Sequence, residues 1–481
     1  MNTKLRSGWL HLATGAGIGR CLSFLSNLLI SRWLGPVDLG IYNLFTSTVQ
    51  TADTISRGGS DYALNYELGA NPKLVSTSYG ERLLSSLSTI TTYLTIFTSL
   101  LIGVWSLQSN SFLSSSMLSN NLQLYVSILV LMVAVECITS PAWEILLVSH
   151  QTSLVALRQG LFVPLRIFFS ALGALLGGFL WSVIFWLLAS IVQFVWLRQH
   201  LSLRWKPIKL WPIKPPDISI LLRRGLPFYS VNLISSLTFY PLLLSIADSG
   251  GFADVGYLRI GQIVQQLFAF IPSTLVPVLF LRLRSLESIS TQVLQIEKPL
   301  RAIWLLLLIV LLTYCLADQY IVTFLFGGQY IAAIPTSRVL LVLGLYECLS
   351  QLTVQPFLAT GDTRLYCLSQ NISAVVSLTL GWLLVPSIGI TGYLIARLIY
   401  VIIPLFIYAR SFYKYLHQPN KLLIFFAVTM LISAYIVVGM LADSFQSYRI
   451  PLVLSLASLL IASSSSDVRY LASYLSFPKK D

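Results

Sequence analysis

Gly35-Pro36-Val37-Asp38-Leu39-Gly40 sits between two long apolar runs and leads on to Val49-Gln50. The same pattern returns as Gly251-Phe252-Ala253-Asp254-Val255-Gly256, leading on to Val264-Gln265. A second pair of marks recurs at a similar interval. Pro141 precedes the polar turn His150-Gln151-Thr152, and Pro356 precedes Gly361-Asp362-Thr363. Both intervals are about 215 residues, and long-period duplication of this kind marks transporter folds. A chance match in low-complexity apolar sequence is the competing explanation. The repeat predicts two six-helix lobes, 1–198 and 218–412, joined by a basic cytoplasmic linker at 199–217. Residues 413–481 then supply two additional helices and a cytoplasmic tail.

Working outward, the whole chain is too apolar for water. Of 481 residues, 56% are hydrophobic and only 10% charged, with a mean hydropathy of +0.78; soluble proteins carry roughly 25% charged residues. The fold class expected is an all-α polytopic membrane protein. A spanning helix needs about 20 mostly apolar residues, and about fourteen such runs are present. Their approximate limits are 10–34, 38–59, 83–107, 122–148, 152–177, 179–198, 220–247, 254–281, 300–317, 336–360, 364–385, 389–411, 421–442 and 450–471. Barrel strands would alternate over about ten residues, a pattern not seen. The first apolar run, from Leu10, is as long as a full span and lacks a small-residue cleavage site, so no cleavable signal is expected. The five cysteines lie inside apolar stretches without a CxxC, so neither a disulfide framework nor a metal site is indicated.

A net charge of +13 would suggest nucleic acid in a soluble chain, but here its placement matters. With the N-terminus inside, about 23 Lys and Arg fall on that side and about three (Arg32, Arg338, Arg449) outside. The basic charge therefore reads as a topology signal in the cytoplasmic membrane, with both termini cytoplasmic and no nucleic-acid partner.

The stretch from Arg32-Trp33-Leu34-Gly35-Pro36 through Asp38-Leu39-Gly40-Ile41-Tyr42 resembles the first hairpin of Wzx-type polysaccharide flippases. Phe324-Leu325-Phe326-Gly327-Gly328-Gln329-Tyr330 resembles their loop after span nine, and Leu358-Ala359-Thr360-Gly361-Asp362-Thr363 their turn after span ten. The order of these motifs is more telling than any one of them. The resemblance implies the MATE-like fold of the multidrug/oligosaccharidyl-lipid/polysaccharide (MOP) exporter superfamily, two lobes around a cavity working by alternating access. It also implies a polyprenyl-diphosphate-linked oligosaccharide as cargo, as in O-antigen and lipopolysaccharide assembly, alongside membrane lipids and other polysaccharide-assembly membrane proteins as partners.

Enzyme chemistry is missing from the inventory. There is no GxxxxGK[ST] for ATP, no HExxH, no GxSxG and no D-x-D to hold a metal against a nucleotide sugar. The loop from Gln108 to Gln123 has no ionisable group, whereas an outward-facing polymerase or ligase needs acid–base residues there. No cofactor, no metal and no catalytic residue are expected.

Ionisable residues inside spans are costly and default to functional candidates once partners have been sought. About a turn centred on Gln151, Glu144 and Arg158 are equidistant, as are Glu136 and Arg166, which predicts two depth-matched ion pairs. They either fix the hairpin's register or line a cavity. Arg20 falls near the depth of Asp53, and Arg57 follows Asp53 at i+4 on one helical face. Arg397 can meet Glu347. Arg259 has no acid at matching depth on the preceding span. The resemblance places spans one, two, seven and eight around the cavity mouth, where related flippases use arginines for the diphosphate. The expected substrate contacts are therefore Arg20, Arg259, Arg57, Asp53 and Arg397. A cation-coupled small-molecule exporter of the same superfamily is the alternative, with Asp53 or Glu136 as its proton or sodium site; a membrane glycosyl polymerase or ligase is the third reading.

Overall fold

The computed structural model describes residues 3–68, 74–75, 77–108, 122–149, 151–201, 215–284, 286, 288–360 and 363–416. Among these residues the protein is all-helical, without strands. The long helices are α1 (Thr3–Arg57), α3 (Ser78–Gln108), α4 (Leu122–Val148), α6 (Val163–His200), α7 (Pro215–Gly250), α8 (Phe252–Arg284), α9 (Ile289–Leu325), α10 (Ile334–Thr353), α12 (Arg364–Ile388) and α13 (Ile390–Tyr413). Short helices α2 (Ser60–Leu68), α5 (Thr152–Leu157) and α11 (Gln355–Ala359) connect them. Eight helical segments among the described residues are long and apolar enough to cross a membrane. Helices α1 and α8, 55 and 33 residues long, also reach spanning length. The expected spans at 421–442 and 450–471, residues 109–121 of the long loop and most of the basic linker lie outside the described residues.

Two long helices are each a pair of helices. In α1 the break is Gly35, at φ 75° and ψ 169°. A backbone at positive φ favours glycine, and Pro36 then starts the next helix where its missing N–H costs nothing. In α6 the break is Gly177-Gly178, with Gly178 at φ 72°. The chain reverses there, because Ser170 Oγ lies 2.8 Å from Ser182 Oγ; a straight helix would hold them about 18 Å apart. Between α5 and α6 the residues Arg158–Phe162 form one π-helical turn, which shifts the register at which the following side chains emerge.

The chain packs as two compact units. The first comprises Met1–Arg259 with Ala374–Tyr393, and the second Ile260–Ser373 with the described part of Leu394–Asp481. In the first, α1 runs against α5 and α6 through small residues. A methyl group added at Gly15 would collide with the Ala156 backbone, and one at Gly19 with the Gln159 carbonyl. The two copies of the repeated turn also meet here, reciprocally. A methyl at Gly40 would strike the Phe252 carbonyl, and one at Gly256 the Pro36 carbonyl. Nearby, the hydroxyls of Thr48 and Tyr240 are 2.7 Å apart. The second unit holds a pair not foreseen in the sequence. Arg338, counted in the sequence only as an outer charge, is buried in α10, and its Nε donates to Asp318 Oδ2 at 2.5 Å. An arginine so enclosed is retained only with a charged partner.

Candidate functional site

Three helical faces converge on a charged cavity inside the first unit. Helix α1 contributes Gln50, Asp53 and Arg57 from successive turns. Helix α4 contributes Glu136, Thr139, Ser140 and Trp143, whose i, i+3, i+4, i+7 spacing is one continuous stripe. Arg158 comes from the π-helical turn, Arg166 from the first half of α6, and Trp186 and Gln193 from its returning half. The cavity volume is about 100 Å³, several times the roughly 10–15 Å³ that one water occupies.

The acids of this cavity are engaged. Arg57 Nη2 and Nε donate to Asp53 Oδ2 at 2.5 and 3.1 Å, and Arg57 also lies 3.6 Å from Asp61. Glu136 Oε1 accepts from Arg166 Nη1, from Ser190 Oγ at 2.6 Å and from Trp186 Nε1 at 3.3 Å. Two arginines also cover tryptophan rings: Arg158 over Trp143 at 4.7 Å and Arg166 over Trp186 at 5.0 Å. Such stacking suits a planar, weakly hydrated guanidinium.

Two depth-matched pairings do not form. Arg158 does not bridge to Glu144; it turns onto Trp143 instead. Equal depth fixes height but not azimuth, so a residue at the right height can still face a different neighbour. Arg20 does not meet Asp53, which is taken by Arg57 four residues along its own helix. Arg20 is exposed and makes no ion pair among the described residues. In the second unit, Arg397 Nη2 donates to Glu347 Oε1 at 2.8 Å, while Gln265 Nε2 donates to its Oε2 at 2.9 Å.

Arg259 is held differently from the others. Its Nη2 donates to Asn27 Oδ1 of α1 at 3.2 Å, its Nε has no partner, and no carboxylate bridges it among the described residues. Arg259 and Arg166 both act electrostatically on the buried Tyr42 hydroxyl. Ser170 donates to that oxygen at 3.0 Å, and the Tyr42 ring packs 5.6 Å from Trp186. Asn27, Tyr42 and the tryptophan partners carried no charge signal in the sequence. Only Trp143, seven residues after Glu136 on one face of α4, could be found from helical spacing. No cluster of three His, Cys, Asp or Glu suited to a metal occurs among the described residues.

No protein-family model matches the chain, and no curated protein matches it. Solved structures do. The inward closed conformation of the lipid II flippase MurJ superposes with a TM-score of 0.66, covering 92% of this chain and 99% of that one at 13% identity. The outward-facing conformation of a multidrug resistance MATE transporter of the MOP superfamily gives 0.57, covering 85% and 96% at 17% identity. A MOP superfamily transporter from Pyrococcus furiosus with a binding pocket of reversed polarity gives 0.56, covering 85% and 96% at 16% identity. The fold is that of the MOP exporters. The cavity's two carboxylates, Asp53 and Glu136, are each engaged by an arginine.

Proposed function

We propose that the protein is a Wzx-type flippase, carrying a polyprenyl-diphosphate-linked oligosaccharide from the inner to the outer leaflet of the cytoplasmic membrane by alternating access. The observation that supports this most is Arg259, a guanidinium inside a long apolar bundle with only a neutral amide for company. An uncompensated arginine in hydrocarbon costs about 2.5–3.5 kcal/mol on insertion scales. A diphosphate offsets that cost by accepting bidentate, charge-assisted hydrogen bonds. Arg20, exposed and without an ion pair among the described residues, supplies a second contact. Arg57 with Asp53 and Arg397 with Glu347 line the path of the cargo as intact ion pairs. The two lobes 1–198 and 218–412 are the rocking bodies of this mechanism, both termini are cytoplasmic, and other membrane proteins of polysaccharide assembly hand over or receive the glycan.

Similarity to multidrug transporters of the MOP fold favours one other reading, a cation-coupled small-molecule exporter. That reading needs Asp53 or Glu136 as a proton or sodium site, and both are bound to arginines. Deleting the protein and assaying the membrane distinguishes the two. Accumulation of a lipid-linked glycan on the inner leaflet is the expected result. Unchanged glycan export, together with gradient-driven drug transport by reconstituted protein, would establish the exporter instead.

A further inference from the structure

The ion pairs of the first-unit cavity are complete, yet its hydrogen bonding is not. Asp53 Oδ1, Ser140 Oγ, Trp143 Nε1 and Arg166 Nε are buried without a partner. Gln193 is buried as well, and neither its amide nor that of Gln50 makes a side-chain hydrogen bond among the described residues. The cavity walls therefore hold unused donors and unused acceptors side by side. Polar groups enclosed in this way are normally satisfied by something.

That mixture selects what fits. A diphosphate offers acceptors and negative charge only, so Asp53 and Glu136 oppose it. A metal ion or an ammonium group meets three arginines and the N–H of Trp143. A sugar hydroxyl both donates and accepts and carries no charge, so it satisfies both kinds of vacancy without breaking either ion pair. The tryptophans act here by their edges. Arg158 covers the Trp143 ring and Trp196 stacks against it with ring centroids 6.3 Å apart, which leaves the Trp143 N–H as its contribution. The Trp186 ring is covered by Arg166 and its N–H is spent on Glu136.

We propose that this cavity is a sugar subsite, taking the hydroxyl edge of one sugar residue of the lipid-linked glycan, with the diphosphate held elsewhere. The inference rests on the flippase reading above. A volume of about 100 Å³ admits one ring edge, not an oligosaccharide, so a single residue of the glycan is recognised here and the remainder is not.

The test uses the purified full chain in nanodiscs and a polyprenyl diphosphate, either bare or carrying one glucose, galactose or N-acetylglucosamine. At least one glycosylated lipid should bind about tenfold tighter than the bare lipid. Gln193→Leu should erase that preference while leaving bare-lipid affinity unchanged, and so should Gln50→Leu, whose exposed position keeps the test open if Gln193→Leu fails to fold. Equal affinity of the wild-type protein for all these lipids overturns the subsite alone. Weakened binding of the bare lipid by either variant assigns the cavity to the diphosphate and overturns it too. Binding of none of them overturns the flippase reading, and the subsite with it.

Discussion

Arg259 and Arg166 are held by different kinds of partner, a neutral amide and a carboxylate, and their substitutions should fail in opposite ways. Arg259→Ala removes a cation whose hydrogen-bonding partner is a neutral amide, so the bundle should insert normally while glycan export is lost. Arg259→Lys keeps the charge but not the planar fork, and should retain part of the export. Full export by a well-expressed Arg259→Ala protein would sink this assignment. Arg166→Ala strands Glu136, which has three donors but one countercharge. Both side chains keep some exposure, 18% and 17%, so the loss should be about 3 kcal/mol, the lower end for a broken buried pair. It should appear as reduced folded protein and a lowered Tm, measured by fluorescence-detected size exclusion across a temperature series. Which charges pair across the α4–α6 hairpin was partly legible from counting. Glu136 and Arg166 are fifteen positions either side of the turn and do meet. Arg158 was misplaced because a count of positions fixes height but not the direction a side chain faces, and Asp318 was missed because Arg338 was counted among the outer charges and no partner was sought for it.

At the level of helices, the close approaches are made by glycines, and they differ enough to be separated experimentally. Gly40→Ala and Gly256→Ala each drive a methyl into a backbone carbonyl that cannot rotate away, as does Gly19→Ala against Gln159. Overpacking of this sort costs about 1–3 kcal/mol, and each variant should lower Tm and glycan export. Gly103 provides the contrast. Its added methyl would sit 3.6 Å from Val130 Cγ2, an ordinary contact, so Gly103→Ala should be neutral or stabilise by about 0.4–1 kcal/mol. Equal destabilisation by all four would show that helix approach is not what these glycines serve. The Gly15/Gly19 spacing could be read as a packing motif from sequence, but its partner on α5 could not. Spacing identifies a smooth face without naming what lies on it.

For the molecule as a whole, composition alone fixed the helical membrane class, because 10% charged residues cannot cover a soluble surface. The long-period repeat pointed to a transporter-like duplication, and the resemblance to Wzx-type flippases implied the MOP fold; the boundaries of the compact units, which pass through α8 after Arg259 and through α12 and α13, follow tertiary packing that periodicity does not encode. The missing P-loop leaves the driving force open to the membrane itself. On the flippase reading, a cargo with about two negative charges is driven outward by an inside-negative potential and gains roughly 2.3 kcal/mol per charge per 100 mV. Collapsing the potential in proteoliposomes with ion gradients held constant should slow net outward flipping. An unchanged rate would mean that counter-ions cross with the cargo.

The meeting of Gly40 with Phe252 and of Gly256 with Pro36 has the form of a handshake between identical partners. Position six of the first turn meets position two of the second, and the reverse, which is what a two-fold axis imposes on two copies of one surface. A shorter chain bearing a single copy of the turn would find the same contact by pairing with itself. The joined protein keeps that self-complementary surface while its two halves are free to diverge elsewhere. The acid on the fourth span of each repeat, Glu136 and Glu347, has already taken its arginine from a different helix in each half. Symmetry survives where backbones touch, and it has been lost where charge is handled.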